Sequence, residues 1–326
     1  MTVLVTGAAG FIGMHVSAAL LSSGRDVLGL DSLNNYYDPA LKRARLAALS
    51  RNRRFAFAQT DISTEGAIEA AASGRQIAAI VHLAAQPGVR YSIEHPAAYI
   101  DANLVGHFRV LEFARHLPDF SHLVYASSSS VYGAGTDLPF STKQRTDRPV
   151  SLYAATKASC ELMAYTYSHL YRIPATGLRF FTVYGPWGRP DMAVYGFTRA
   201  IFDRQPIRLF NGGAMKRDFT YIDDIVAGVT RCLERPPTGD REAAPHRVYN
   251  LGNHRSEPLM RLVQLLEQAI GRKALTEPAA MQLGEVVETF ADIADARGDL
   301  GFEPTTPIDT GIPKFVEWYR RYHTME

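Results

Sequence analysis

Short apolar runs rich in β-branched residues alternate with longer stretches of helical periodicity through the first half of the chain. The runs at 3–6, 27–30, 55–58, 79–82, 123–126 and 175–179 read as buried strands. Helical patterns fill the gaps at 12–22, 41–49, 97–115 and 151–171. Strands separated by helices of this length imply right-handed crossovers, so the pattern predicts an α/β fold with a doubly wound parallel sheet. Beyond residue 181 the periodicity loosens into Gly-Pro and Arg-Pro turns, with helices expected at 193–203, 223–233, 259–270 and 308–322. The change divides the chain into residues 1–180 and residues 181–326, with some segments of the second part returning to the first.

Composition narrows the class only slightly. At 326 residues, 46% hydrophobic and 21% charged, the chain has ample material for a soluble globular core. A net charge of +2 leaves no basic stripe, so no nucleic-acid partner is expected. Cys160 and Cys232 have no metal-ligand spacing around them and read as buried thiols in a reducing cytosol. The first strand begins at once, without a charged leader, and no apolar run is long enough to span a bilayer. The expected location is cytoplasmic, with no membrane partner and no metal.

The segment Gly7-Ala8-Ala9-Gly10-Phe11-Ile12-Gly13 sits between the first strand and the first helix. Glycines there permit a tight turn and a close backbone approach, and the helix start offers N–H groups to a pyrophosphate. The alternative is a plain strand-to-helix turn. Asp31 ends the second strand, where a carboxylate accepts from ribose hydroxyls and repels a 2′-phosphate, which favours NAD over NADP. It reads alternatively as a turn cap. Asp61 and Ile62 after the third strand are placed to meet the adenine, and Leu83, Ala84 and Ala85 after the fourth leave room for the cofactor. His82 reads as a packing residue.

Tyr153 and Lys157 stand four residues apart on one helix face. An ammonium near a phenol favours the phenolate, which makes the tyrosine a base toward an alcohol. Such a pair is commonplace on helix surfaces; following a nucleotide-binding opening, it points to chemistry on a carbinol. The run Tyr125-Ala126-Ser127-Ser128-Ser129-Ser130-Val131-Tyr132-Gly133 follows the fifth strand and offers hydroxyls beside Tyr153.

Taken in order, these motifs resemble the extended short-chain dehydrogenase/reductase family, specifically its NAD-dependent nucleotide-sugar epimerases, from Val3 to about Tyr322. The resemblance implies a Rossmann-like NAD-binding domain over residues 1–180 and a smaller nucleotide-sugar-binding α/β region over 181–326. It makes Tyr153 the base, Lys157 the ribose-holding residue that tunes it, and Ser128 the helper hydroxyl, with Ser129 and Ser130 as possible substitutes. It also implies a homodimer built on the helices around 97–115 and 151–171.

Two departures refine the branch. Sugar dehydratases and related decarboxylases carry an acidic residue before Val-Tyr-Gly, where this chain has Ser130. The segment from Leu178 through Thr182 to Gly188-Arg189-Pro190-Asp191-Met192-Ala193 resembles that of UDP-glucuronate 4-epimerases. A guanidinium at Arg189 suits a carboxylate, and Thr182 adds a hydroxyl; the alternative for Arg189 is a loop ion pair with Asp191. Arg217 matches the diphosphate-binding arginine, or else partners Asp218 or Asp223. Phe210 matches the uracil-packing position, or else is core. Relatives carry an arginine or proline pattern where this chain has Gln282-Leu283-Gly284-Glu285, so a second pyrophosphate arginine is not assured. The expected activity is a UDP-glucuronate 4-epimerase with bound NAD and a UDP-sugar substrate; the alternative is a UDP-glucose/UDP-galactose 4-epimerase.

Overall fold

The computed structural model describes residues 2–324 apart from 136, 241–242, 282–283 and 285. Its strands are β1 (Thr2–Thr6), β2 (Asp26–Asp31), β3 (Phe55–Gln59), β4 (Ile77–His82), β5 (His122–Ser128), β6 (Ala175–Phe180) and β7 (Thr182–Tyr184). There follow β8 (Pro206–Phe210), β9 (Lys216–Arg217), β10 (Phe219–Tyr221), β11 (His246–Leu251), β12 (Glu257–Pro258) and β13 (Leu275–Ala279). The helices of the first half are α1 (Phe11–Ser22), α2 (Pro39–Leu49), α3 (Ala67–Ala72), α4 (Tyr91–Glu94), α5 (Pro96–Tyr99), α6 (Gly106–Arg115) and α7 (Leu152–Tyr171). Those of the second half are α8 (Ala193–Phe202), α9 (Ile222–Leu233), α10 (Leu259–Ile270), α11 (Ala294–Leu300) and α12 (Ile308–Tyr322).

Among the described residues, seven strands form one parallel sheet in the order β11-β6-β5-β4-β1-β2-β3. This is the doubly wound α/β arrangement expected from the alternation, and the winding reverses between β1 and β4. Strand alternation feeds two cores. Val3 and Val5 of β1 join one apolar cluster, while Leu4 between them joins the other on the opposite face.

The helix expected over 97–115 is present and unbroken, but its middle widens into a π-helical stretch. His95 alone separates α4 from α5, and the π-helical stretch, Ile100–Val105, joins α5 to α6. Asn103 in that stretch accepts from Gln86 N at 2.7 Å and donates to Gln86 O at 3.2 Å and Thr156 Oγ1 at 3.0 Å. A wider turn there lets one side chain tie the β4–α4 connection to α7.

The second half is shared between two regions. β11 extends the sheet beyond β6, and α9 packs on α1. The short pairs β7–β10, β8–β13 and β9–β12 stand outside this sheet, with α8, α10 and α12 packed against them.

Candidate active site

The glycine turn is closed to side chains. Gly7 has φ +72°, and a Cβ on it would lie 2.7 Å from Ala84 N across the β1–β4 crevice. A Cβ on Gly13 would lie 2.0 Å from Gly7 O, so α1 and the turn pack backbone to backbone. Gly10 caps α1 without a side-chain bond, and no acid occupies the first turn. That first turn borders a cavity of about 740 Å³, leaving a helix start suited to an anion.

Asp31, Asp61, Ile62, Leu83, Ala84 and Ala85 border the same cavity. Asp31 accepts from Ala9 N at 3.2 Å and Leu33 N at 2.9 Å, with Lys42 Nζ 3.7 Å away. The turn-cap role is therefore present at a carboxylate that also borders the cavity, and its oxygens retain further lone pairs. Burial lowers the pKa of Lys42, against the pull of Asp31. Asp61 accepts from Ser63 N at 2.9 Å and Ser63 Oγ at 2.8 Å. His82 is buried, 2.7 Å from Thr6 Oγ1 and stacked on His107, which makes it the packing residue expected. The glycine cradle, the uncapped helix start and the carboxylate at the end of β2 together fit a dinucleotide.

Tyr153 and Lys157 lie at the floor of this cavity. Ser151 caps α7, its Oγ accepting from Ala154 N at 3.1 Å, which sets Tyr153 in the first turn. Lys157 is buried and donates to Ala126 O at 2.9 Å. The serine run divides by role. Ser127 also borders the cavity, but its Oγ donates to Glu161 Oε1 at 2.5 Å. Ser128 Oγ accepts from Ser130 N at 3.2 Å, starting the 3-10 turn Ser129–Tyr132, and borders the cleft beside Tyr153.

A second cavity of about 1070 Å³ adjoins the first and shares Ser128, Tyr153 and Arg189 with it. Ser129, Ser130, Thr182, Phe210 and Arg217 border it. The Arg90 guanidinium stands over the Phe210 ring at 5.5 Å. Arg217 Nη1 donates to Lys216 O at 2.9 Å and Val287 O at 3.1 Å. Asp218 turns inward instead, accepting from Thr220 Oγ1, Asn253 N and Ala291 N at 2.6–3.1 Å. Burial pushes its carboxyl up to about 6 despite those bonds. Arg189 pairs with Asp191, so the loop ion pair is present, with both side chains at the cavity wall. Of the Gln282-Leu283-Gly284-Glu285 segment, residues 282, 283 and 285 lie outside the described residues.

Arg45 belongs to none of the sequence motifs, yet it is central to the site's framework. Fully buried on α2, it donates to Ala9 O at 3.0 Å, Tyr37 Oη at 2.6 Å, Trp187 O at 2.6 Å and Gly188 O at 3.3 Å. It joins the glycine turn to the loop carrying Arg189. The available signal was a cation at position 45 on the apolar stripe of Leu41 and Leu49.

A crevice at the winding reversal, with tyrosine and lysine one helical turn apart on its floor, defines a dinucleotide-dependent enzyme of the short-chain dehydrogenase/reductase type. The chain belongs to the NAD dependent epimerase/dehydratase family, whose model matches residues 3–252. It is 45% identical to a probable UDP-glucuronate 4-epimerase of Rhizobium meliloti, with 99% of each chain covered. It is 48% identical to UDP-glucuronate 4-epimerase 3 of Arabidopsis thaliana over 99% of this chain and 77% of that one. A crystal structure of UDP-glucuronic acid 4-epimerase from Bacillus cereus, in complex with UDP-glucuronic acid and NAD, superposes with a TM-score of 0.90 at 33% identity. That match covers 99% of this chain and 100% of the other.

Proposed function

We propose that this protein is an NAD-dependent UDP-glucuronate 4-epimerase that interconverts UDP-glucuronate and UDP-galacturonate through a 4-keto sugar. The observation that carries the reading is the wall shared by the two cavities, where Tyr153 and Ser128 face the same space as Arg189. A base for the C4 hydroxyl and a cation for a sugar carboxylate stand on one boundary.

The glycine turn and the start of α1 would hold the pyrophosphate of NAD, Asp31 its ribose, and Asp61 and Ile62 its adenine. Bound NAD supplies the hydride acceptor and donor for C4. Tyr153 takes the proton of the C4 hydroxyl, Ser128 hydrogen-bonds that oxygen, and Lys157 holds the ribose and supports the phenolate. Once the sugar presents its other face, Tyr153 returns the proton to O4. Arg217 holds the diphosphate and Phe210 packs the uracil. A 4-keto uronate is a β-keto acid, which loses carbon dioxide when its breaking bond aligns with the ketone. Ser128, Ser129, Ser130, Thr182 and Arg189 keep the carboxylate out of that alignment.

Assembly and location extend the same reading. Phe108, Leu162, Tyr165 and Leu170 are exposed on α6 and α7, an apolar surface suited to a homodimeric helix bundle. Buried free thiols at Cys160 and Cys232 suit a cytoplasmic enzyme. Among the described residues no helix is long and apolar enough to cross a membrane.

One observation favours the neutral-sugar alternative, a UDP-glucose/UDP-galactose 4-epimerase: Arg189 already has a carboxylate partner in Asp191. Incubating the protein with UDP-glucuronate and UDP-glucose separately, and following the anomeric and H4 protons by NMR, tests both. Growth of galacturonate signals is expected. Turnover of UDP-glucose without UDP-glucuronate would replace the first reading with the second.

A further inference from the structure

Arg189 is held from one side. Its Nε donates to Asp191 Oδ1 at 3.1 Å and its Nη2 to Asp191 Oδ2 at 2.5 Å. Tyr36, on the connection between β2 and α2, donates its phenol to the same Oδ2 at 3.1 Å. A guanidinium carries five N–H donors in a fixed fork, and Asp191 engages only the Nε/Nη2 edge. The Tyr36 phenol also lies against the guanidinium, and among the described residues Nη1 makes no hydrogen bond, which leaves it for a second acceptor. The side chains of Arg189 and Asp191 are 23% and 27% exposed, so a ligand in the cleft meets the pair with part of its water already removed. Burial disfavours both charges, yet each partner holds the other ionised: Asp191 raises the pKa of Arg189, and Arg189 lowers that of Asp191.

We infer that Asp191 is a specificity-determining positioning residue: it presents the Nη1 edge of Arg189 to the sugar carboxylate and keeps that grip weak enough to break when the ring turns over. The inference rests on the function proposed above. A substrate carboxylate on the open edge shares one cation with Asp191, and repulsion between the two anions reduces its affinity. A neutral sugar feels no such repulsion. When the carboxylate departs during turnover, Arg189 is not left as an uncompensated, half-buried charge, because Asp191 stays in place. Release and recapture therefore cost less than they would with a lone arginine. Tyr36 anchors Asp191, so the acid does not follow the substrate.

The test uses NAD-loaded protein carrying Tyr153→Phe, which binds without turning over, with and without Asp191→Asn. Calorimetric titration with UDP-glucuronate, UDP-glucose and UDP gives three affinities. Asp191→Asn is expected to tighten UDP-glucuronate about tenfold and to leave UDP-glucose and UDP within about twofold. With Tyr153 intact, Asp191→Asn is expected to lower KM for UDP-glucuronate and to lower kcat by a similar factor. Asp191→Ser, which leaves no amide beside Arg189, is expected to repeat the shift.

Unchanged or weakened UDP-glucuronate binding in both variants, with UDP binding intact, would make Asp191 an ordinary loop ion pair and overturn the inference. Loss of all three affinities in both variants would assign it a purely structural role and overturn it equally. Failure of the parent reading shows separately, as unsubstituted protein that epimerises UDP-glucose but not UDP-glucuronate.

Discussion

Glu161 and Arg179 form a buried ion pair directly behind the serine turn, with Arg179 Nε 2.9 Å from Oε1 and Nη2 2.7 Å from Oε2. Their side chains are 9% and 5% exposed. Ser127 donates to the same Oε1, and Arg179 Nη1 donates to Tyr132 Oη, which donates in turn to Asn250 Oδ1 at 2.6 Å. The helix that carries Tyr153 and Lys157 is thereby locked to β5, β6 and β11.

Because each is the other's ion-pair partner in a buried setting, removing one exposes the cost of burying its mate. Glu161→Gln is expected to lower unfolding free energy by about 3–5 kcal/mol. Urea denaturation of Glu161→Gln, Arg179→Met and the double variant checks this. The double variant should lose less than the sum of the single losses, and strict additivity would contradict the coupling.

Tyr153→Phe keeps the ring and deletes the proton acceptor. Turnover of UDP-glucuronate is expected to fall by about 10²- to 10⁴-fold, with NAD and UDP binding unchanged. Steady-state rates beside calorimetric affinities decide it; near-normal kcat would remove Tyr153 from its assigned role.

Arg45→Met deletes the guanidinium that spans Ala9 O, Tyr37, Trp187 O and Gly188 O. Buried carbonyls left without a donor cost about 1–3 kcal/mol each, so a marked drop in Tm is expected. Faster loss of NAD on gel filtration should accompany it. Arg45→Lys should rescue little, since one ammonium cannot reach acceptors on two loops.

Gly13→Ala places a Cβ 2.0 Å from Gly7 O. The turn must open to accept it, and NAD retention, read from the absorbance of the purified protein, is expected to fall sharply. Retention at the unsubstituted level would show that the close approach is dispensable.

Acid is expected to destabilise the fold well before its exposed carboxylates titrate. Burial holds His107 at about 3 and His122 at about 4, and takes His82 well below the usual imidazole range. In the unfolded chain these rings titrate near 6.5, so between the two values the unfolded state binds more protons. Their contribution is complete above about pH 6.5 and declines as pH falls. Asp218 opposes this: raised to about 6 from 3.8, it is protonated first in the folded state and gains stability as pH falls through that window. From pH 6.5 to 5, His107 and His122 each remove about 2 kcal/mol, His82 acts in the same direction, and Asp218 returns about 1 kcal/mol. Urea titrations across that range should show a net fall; a flat profile would contradict the buried neutral imidazoles.

What could be read from the chain alone was whatever depends on near neighbours in sequence. Strand alternation at 3–6 assigns Val3 and Val5 to one face and Leu4 to the other because successive side chains must point oppositely. The glycine turn, and the four-residue spacing of Tyr153 and Lys157, are local in the same sense. Two adjacent cavities are lined by the candidate site residues, from Gly7 to Arg217, with Tyr153 and Lys157 among them.

Contacts between distant segments decided the rest. The π-helical widening at 100–105 coincides with the bonds of Asn103 to Gln86 and Thr156. Four serines in a row look alike in sequence, and it is Glu161, brought in from α7, that takes the Ser127 hydroxyl and leaves that of Ser128 uncommitted to it. Arg45 shows no function in sequence until the fold brings the carbonyls of Trp187 and Gly188 to it. Local periodicity fixes which way a side chain faces, since it follows from backbone geometry. Which partner it finds there depends on chain segments far away in sequence, and only their packing brings them within hydrogen-bonding reach.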